Sequence, residues 1–148
     1  MSDTRTIERR FHIDNTPEAV MAYIADVRHR PMYVPHLQSV SEIEGEPSAA
    51  GTRWNWTFSA LGLDFEGTAH CAESVPGRRY VTETETGIRS TWSYDAEPAG
   101  EGTDLTVRLE YQVPERAIPF LPTENVVESL RNTEADKLVQ NLKEILDR

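Results

Sequence analysis

LTVRLEYQVPERAIPFLPTENVVESLRNTEADKLVQNLKEILDR, residues 105–148, changes its hydrophobic period halfway along. Leu105, Val107, Leu109, Tyr111 and Val113 recur at every second position, which marks a strand with one buried face. Pro114, Pro119 and Pro122 end that strand, because proline cannot donate to a sheet ladder. A long helix is expected from about Thr123, a candidate N-cap, with Glu124 in the first turn. Val127, Leu130, Leu138, Leu142 and Ile145 fall on one helical stripe, with Arg131 and Glu134 within or beside it.

Upstream, strand and turn signals repeat. Thr4 to Ile13 reads as a strand with Ile7, Arg9, Phe11 and Ile13 on one face. Asn15-Thr16-Pro17-Glu18 reads as a helix start, continuing to Val27 and burying Val20, Tyr23 and Ile24. Pro31 and Pro35 bracket an irregular or helical turn around Met32, Tyr33 and Val34. Further strands are expected over 37–44, 52–60, 64–75, 78–86 and 88–97, with turns at 61–63, at Pro76-Gly77, at Gly87 and over 98–102. Connections this short impose antiparallel neighbours, since a parallel crossover needs about a dozen residues or more. The expectation is a meander of about six strands, with the first strand added at an edge. A curved sheet and one amphipathic helix hide both apolar faces when the helix lies across the concave side.

Composition narrows the function. One domain is expected to span all 148 residues, a length that buries a sizeable core without a metal or disulfide staple. The formal net charge of -10 repels phosphate backbones and anionic lipid surfaces, which argues against nucleic-acid partners. No apolar run reaches the ~20 residues of a membrane span. The charged stretch Met1–Arg10 has no signal-peptide core, and the single cysteine, Cys71, excludes an internal disulfide. A cytoplasmic location is expected. His12, His29, His36 and His70 have no zinc-ligand spacing, so neither a metal nor a cofactor is expected. Gly62 to Gly67 has phosphate-loop glycine spacing, but Thr68 replaces the required lysine.

Thr16-Pro17-Glu18-Ala19-Val20, Tyr23-Ile24-Ala25-Asp26 and Pro31-Met32-Tyr33-Val34-Pro35 resemble the amino-terminal signature of START-like (SRPBCC) proteins. The closest resemblance is to the polyketide cyclase/dehydrase-type branch. Gly51-Thr52-Arg53-Trp54, Gly62, Phe65-Glu66-Gly67, Pro76-Gly77-Arg78-Arg79, Trp92, Tyr94 and Gly102-Thr103 continue the pattern over nearly the whole chain. The resemblance implies an α+β helix-grip fold, Bet v 1-like, with a curved seven-stranded antiparallel sheet around a long C-terminal helix. Two short helices follow the first strand. It also implies a cavity for a hydrophobic ligand, without fixing one reaction. Tyr33 stands where many members carry tryptophan.

Trp54, Trp56 and Phe58 share a strand face, and Phe65, Gly67, Ala69 and Cys71 share one on the next strand. Small side chains opposite large rings are either complementary packing or empty volume. Trp92 and Tyr94 add rings whose polar tips need partners when buried. Trp54, Trp56, Phe58, Phe65, Trp92, Tyr94, Arg131, Glu134 and Leu138 are therefore the candidate ligand-binding residues. Arg131 and Glu134 either form a polar end to the cavity or sit in water at its rim. Arg9 is a weaker candidate of the same kind. The catalytic residues are not identified; Arg131, Glu134 and Tyr33 are the weak candidates. His70 and Cys71 are adjacent strand residues on opposite faces and cannot form a dyad.

The expected function is binding of a small hydrophobic molecule (lipid, quinone or polyketide-like) between sheet and helix, by a monomer or homodimer. A polyketide cyclase or dehydratase, working by substrate positioning and one acid/base group, is the alternative. A protein-interaction module without ligand is the third reading.

Overall fold

The computed structural model describes residues 4–60, 63–112 and 124–147, and their side chains except those of 60, 63 and 124–131. Seven strands run in chain order: β1 (Thr4–Ile13), β2 (Leu37–Glu44), β3 (Arg53–Ala60), β4 (Leu63–Val75), β5 (Arg79–Thr84), β6 (Ser90–Ala99) and β7 (Gly102–Gln112). Helix α1 (Pro17–Ala25) and a 3-10 helix (Val27–Met32) follow β1, and helix α2 (Glu124–Leu146) closes the chain. All strand pairs are antiparallel, in the order β1-β7-β6-β5-β4-β3-β2. The meander and the edge placement of β1 follow the sequence pattern.

Cross-strand register assembles one inner face. Arg9 lies opposite Val107, Val107 opposite Tyr94, and Tyr94 opposite Tyr80. Cys71 lies opposite Thr82, Trp54 opposite Ala69 and Trp56 opposite Gly67. Trp54, Ala69, Cys71, Tyr80, Thr82, Tyr94, Leu105 and Val107 are all buried. α2 covers this face through Ala135, Leu138, Leu142 and Leu146, spaced three, four and four apart as one helical face requires. The stripe expected from the sequence ended at Ile145; that residue is 39% exposed and Leu146 is buried in its place. The last helical turn fixes the choice, because Asn15 Nδ2 bonds the Leu146 carbonyl and the Asp147 carboxylate accepts from the Asp14 amide. Arg9 ties the same two elements together, donating to Asn132 Oδ1 at 2.9 Å and pairing with Asp136 at 3.2 Å. The expected N-cap Thr123, the turn residues Leu61 and Gly62, Val113, the proline segment and the side chains of Val127, Leu130 and Arg131 lie outside the described residues.

Three boundaries differ from expectation for local reasons. β6 extends through Pro98 and Ala99, which pair with Thr103 and Gly102; the turn is Gly100-Glu101, with Gly100 at φ +63°. A left-handed glycine allows so tight a reversal, so the loop expected over 98–102 shrinks to two residues. β5 stops at Thr84, whose hydroxyl donates to the Ile88 carbonyl at 2.7 Å and accepts from the Ser90 amide at 2.7 Å. That side chain closes the 84–90 loop and delays β6 to Ser90. α1 stops at Ala25 rather than Val27, because Asp26 turns the chain.

The alternation of small and large residues resolves as packing at Gly67. A Cβ there would collide with the Thr86 carbonyl oxygen and lie 2.7 Å from the Trp56 ring. The indole fills the place where a side chain would stand.

Asp26 organises the entry to the inner face. Its carboxylate caps the 3-10 helix by accepting from the Arg28 amide at 3.1 Å, and it pairs with the Arg28 guanidinium at 2.6 Å. The Arg28 hydrogen bonds hold the Asp26 carboxyl below the usual carboxylate range, although burial works in the opposite direction. His29 stacks on Tyr23 with ring centroids 4.1 Å apart, and its Nδ1–H donates to the Tyr23 carbonyl. A 3-10 helix has three residues per turn. Val27, Arg30 and, at the C-cap, Tyr33 therefore point the same way, and all three are buried.

Two outcomes follow. Gly67→Ala lowers the unfolding free energy by about 1–3 kcal/mol in urea denaturation, the usual range for overpacking; an unchanged midpoint contradicts the close approach of the Thr86 carbonyl and the Trp56 ring to Gly67. Asp26→Ala costs about 1 kcal/mol at neutral pH, the usual value of a lost cap. Because the folded pKa of Asp26 is depressed, its contribution is present above the ordinary value of about 3.9 and is lost as pH falls through the lower folded value. The deficit of the variant in thermal unfolding therefore persists down to about pH 4 and closes below it.

Candidate functional site

Arg30 is the side chain that the fold buries at greatest cost. It is 5% exposed, between the 3-10 helix and the inner face of the sheet. Among the described residues no carboxylate lies within ion-pair distance of it. Its Nη1 donates to Thr82 Oγ1 at 3.0 Å, and its Nη2 reaches the Tyr94 hydroxyl at 3.5 Å. Three rings surround the charge: Cζ lies 5.5 Å from the Trp92 centroid, 5.7 Å from Tyr94 and 5.9 Å from Trp54. Cation–π contacts of this kind are worth roughly 0.5–2 kcal/mol each, against several kcal/mol for burying an ion. Burial opposes the charge, and the oxygens of Tyr94, Tyr33 and Tyr80 favour it; the net shift is upward, so Arg30 is a cation at every physiological pH.

The aromatic wall around Arg30 is continuous. Trp92 stacks on Tyr94 at 6.4 Å and 10°, Tyr80 packs on Tyr94 at 6.2 Å, and Tyr33 meets Tyr94 edge-on at 6.4 Å. Burial pushes the Tyr33 and Tyr80 hydroxyls upward, so both remain neutral donors. Tyr33 spends its proton on the Ile24 carbonyl at 3.3 Å. Among the described residues the Tyr80 hydroxyl, Trp56 Nε1 and Arg30 Nε have no hydrogen-bond partner, and each is sealed from solvent. Leaving a buried donor unmade costs about 1–3 kcal/mol. Three such groups lie at one inner face, and the acceptors that Arg30 meets there among the described residues are neutral hydroxyls.

The residues selected from the sequence divide between this wall and its rim. Trp54, Trp92 and Tyr94 touch Arg30 directly. Trp56 lies one pleat from Trp54 on the same face and is buried. Phe58 and Phe65 are a cross-strand pair, both half-buried. Phe58 is reached edge-on by His36 at 6.2 Å. Leu138 is buried under α2. Glu134 is at the rim, half-exposed, bonding His36 Nε2 at 2.6 Å. His36 makes this contact from a left-handed backbone, φ +67°, at the corner leading into β2. The Arg131 side chain lies outside the described residues. Cys71 is buried, and burial pushes its thiol up, so it is an inert member of the wall; His70 faces the other way, toward Glu83 and Glu85.

Sequence reasoning missed Arg30, which lies in a polar turn between helix and proline. The signal was present as a period of three, Val27-Arg30-Tyr33, because a 3-10 helix stacks residues i and i+3.

Among the described residues, no group of His, Cys, Asp and Glu side chains is arranged to hold a metal ion, and no helix is long and apolar enough to cross a membrane. A search of curated proteins finds no significant match. Among solved structures, the chain is similar to TTHA0849 from Thermus thermophilus, with TM-score 0.75, 21% identity and 95% of each chain covered. It is similar to a START superfamily protein from Mycobacterium smegmatis, with TM-score 0.72, 14% identity, and 95% of this chain and 96% of that one covered. The Zhui aromatase/cyclase from a Streptomyces species matches with TM-score 0.71, 14% identity, and 95% and 92% covered. At these identities the likeness is one of fold: the helix-grip arrangement of START and Bet v 1-like proteins. The family model for polyketide cyclase/dehydrase and lipid transport matches residues 4–147, and the chain belongs to that family.

Proposed function

We propose that the protein binds a small, largely apolar molecule between the inner face of the sheet and α2, with Arg30 as the polar anchor. The observation that carries this reading is a buried guanidinium set among three aromatic rings and without a carboxylate partner among the described residues. The family model's description, which includes lipid transport, supports the same class of ligand. Apolar walls with a few convergent polar groups are the usual makeup of a small-molecule site. The proposed contact residues are Trp54, Trp56, Phe58, Phe65, Trp92 and Tyr94 from the sheet and Leu138 from α2. Glu134 and Arg131 are proposed for the mouth. The sealed donors of Tyr80 and Trp56 mean that entry of a ligand displaces the side chains packed over them. No docking partner is needed for this reading, and the exposed large apolar residues among those described, Met32, Val75 and Ile145, lie on three different elements.

A cyclase reading has one specific support. Arg30 is a permanent cation beside the Thr82 and Tyr94 hydroxyls, which is what polarisation of a ketone requires. Similarity of fold to an aromatase/cyclase agrees with it. In that case Arg30→Gln lowers kcat for cyclisation of a poly-β-ketone more than it raises KM.

All three tryptophans of the chain, Trp54, Trp56 and Trp92, belong to the proposed wall. Indole emission is therefore expected to change on titration with fatty acids, sterols, quinones or aromatic polyketides. A ligand present at about 100 times its Kd stabilises the fold by about 2.7 kcal/mol, seen as a raised Tm. Neither an emission change nor a Tm shift with any of the four classes overturns the binding reading.

A further inference from the structure

We infer that the ligand enters as a carboxylate monoanion on an apolar body, its charge seated on Arg30. This rests on the binding reading above and narrows it to one class of molecule.

The inference comes from a charge and hydrogen-bond count. Arginine offers five N–H donors and no acceptor. Among the described residues the oxygens beside the Arg30 guanidinium are hydroxyls, Thr82 Oγ1 at 3.0 Å, Tyr94 at 3.5 Å and that of Tyr33, and Nε has no partner. A hydroxyl does not neutralise a cation. The aromatic rings offer only the weak negative potential of their faces. Of the groups on this face without a partner among the described residues, the Trp56 N–H is a donor only and the Tyr80 hydroxyl, which can donate or accept, is neutral. Among the described residues no negatively charged acceptor reaches Arg30, and one guanidinium calls for one negative charge. A planar carboxylate matches the guanidinium fork and forms charge-assisted bonds about twice as strong as neutral ones. The surrounding rings exclude a hydrated dianion such as a phosphate, which no second cation among the described residues is placed to neutralise. Arg28, two residues away, is largely exposed and already matched by Asp26.

The global charge supports the local assignment. The protein carries a net -10, so its long-range field repels anions. Carboxylate preference would have to come from a buried contact. Salt screens the repulsion more than it screens a pair sealed from water. Carboxylate affinity is therefore unchanged or improved by salt, the reverse of a surface lysine patch.

The test uses the full chain and two pairs of matched probes, dodecanoate against dodecanamide and 2-naphthoate against 2-naphthamide, with Kd read from tryptophan emission. In the wild type at least one acid binds about tenfold or more tightly than its amide, as hydrogen bonds to a charged group require. The preference persists when ionic strength is raised from about 0.02 M to about 0.5 M. Arg30→Lys keeps a preference for the acid, and in Arg30→Gln the acid/amide affinity ratio falls to about one. Equal affinity for acid and amide in the wild type overturns the carboxylate assignment and leaves the binding reading standing. A preference that survives in Arg30→Gln, or collapses with salt, also overturns it. Failure of all four probes to bind overturns the carboxylate assignment, and the binding reading falls with it only when the four ligand classes above are silent as well. If Arg30→Gln does not fold, the wild-type acid/amide ratio and its salt response, with Arg30→Lys, decide the matter.

Discussion

A positive charge enclosed by aromatic rings, with hydroxyls rather than a carboxylate beside it among the described residues, is the constraint around which this molecule is arranged. Burying an ion costs several kcal/mol even after relaxation. The surrounding structure holds Arg30 there through specific devices. Asp26 caps the 3-10 helix and takes up Arg28, His29 stacks outward on Tyr23, and the three-residue turn then directs Arg30 into the sheet beside Val27 and Tyr33. From the other side, cross-strand register brings Trp92 next to Thr82 and Tyr94 next to Tyr80, so that two hydroxyls and two rings meet the guanidinium. A core selected for stability alone would place a leucine there.

The sheet exists to present that wall, and glycine sets its curvature locally. Trp56 can lie flat against the sheet because its cross-strand partner is Gly67. Gly87, at φ +85°, approaches the same ring, so a Cβ there would stand 2.7 Å from it. α2 completes the enclosure, held at its C-terminal end to β1 and to the loop after it by Lys143, Asn15 and Asp14, and nearer its centre by Asn141 on the Tyr33 carbonyl. Those contacts leave the Glu134–His36 pair at the rim as the polar contact between α2 and the corner before β2.

The strands were legible in the sequence because period-two alternation is a local property. Trp54-Trp56-Phe58 and Leu105-Val107-Leu109 each declare one buried face without reference to the rest of the chain. The order of the sheet followed from short connections, and the edge position of β1 from what remained. Boundaries fared less well where a single side chain decided them: the Thr84 hydroxyl ends β5, and Gly100 shortens the β6–β7 turn. The helical stripe was right at Leu138 and Leu142 and wrong at its last member, because a helix of 3.6 residues per turn leaves Ile145 and Leu146 both near the seam, and the Asn15 contact at the Leu146 carbonyl selects between them. The aromatic rings around Arg30 were visible for the same reason as the strands. Arg30 itself was not. Arg131 and Glu134 drew attention by standing near an apolar stripe, whereas Arg30 lies in a six-residue helix of period three, flanked by charged neighbours that mask its burial. Among the described residues that charge meets hydroxyls rather than a carboxylate, so no paired acid draws attention to it.

The account stands on Arg30 and its rings being the place where a guest molecule makes contact. Nuclear magnetic resonance reads this directly, through the Arg30 Nε–H signal and the indole N–H signals of Trp54 and Trp92 with saturating dodecanoate. The account predicts intermolecular nuclear Overhauser contacts from the alkyl chain to both indoles and a downfield shift of the Arg30 Nε–H. Contacts confined to exposed residues such as Met32 and Val75, with the Arg30 signal unmoved, would contradict it.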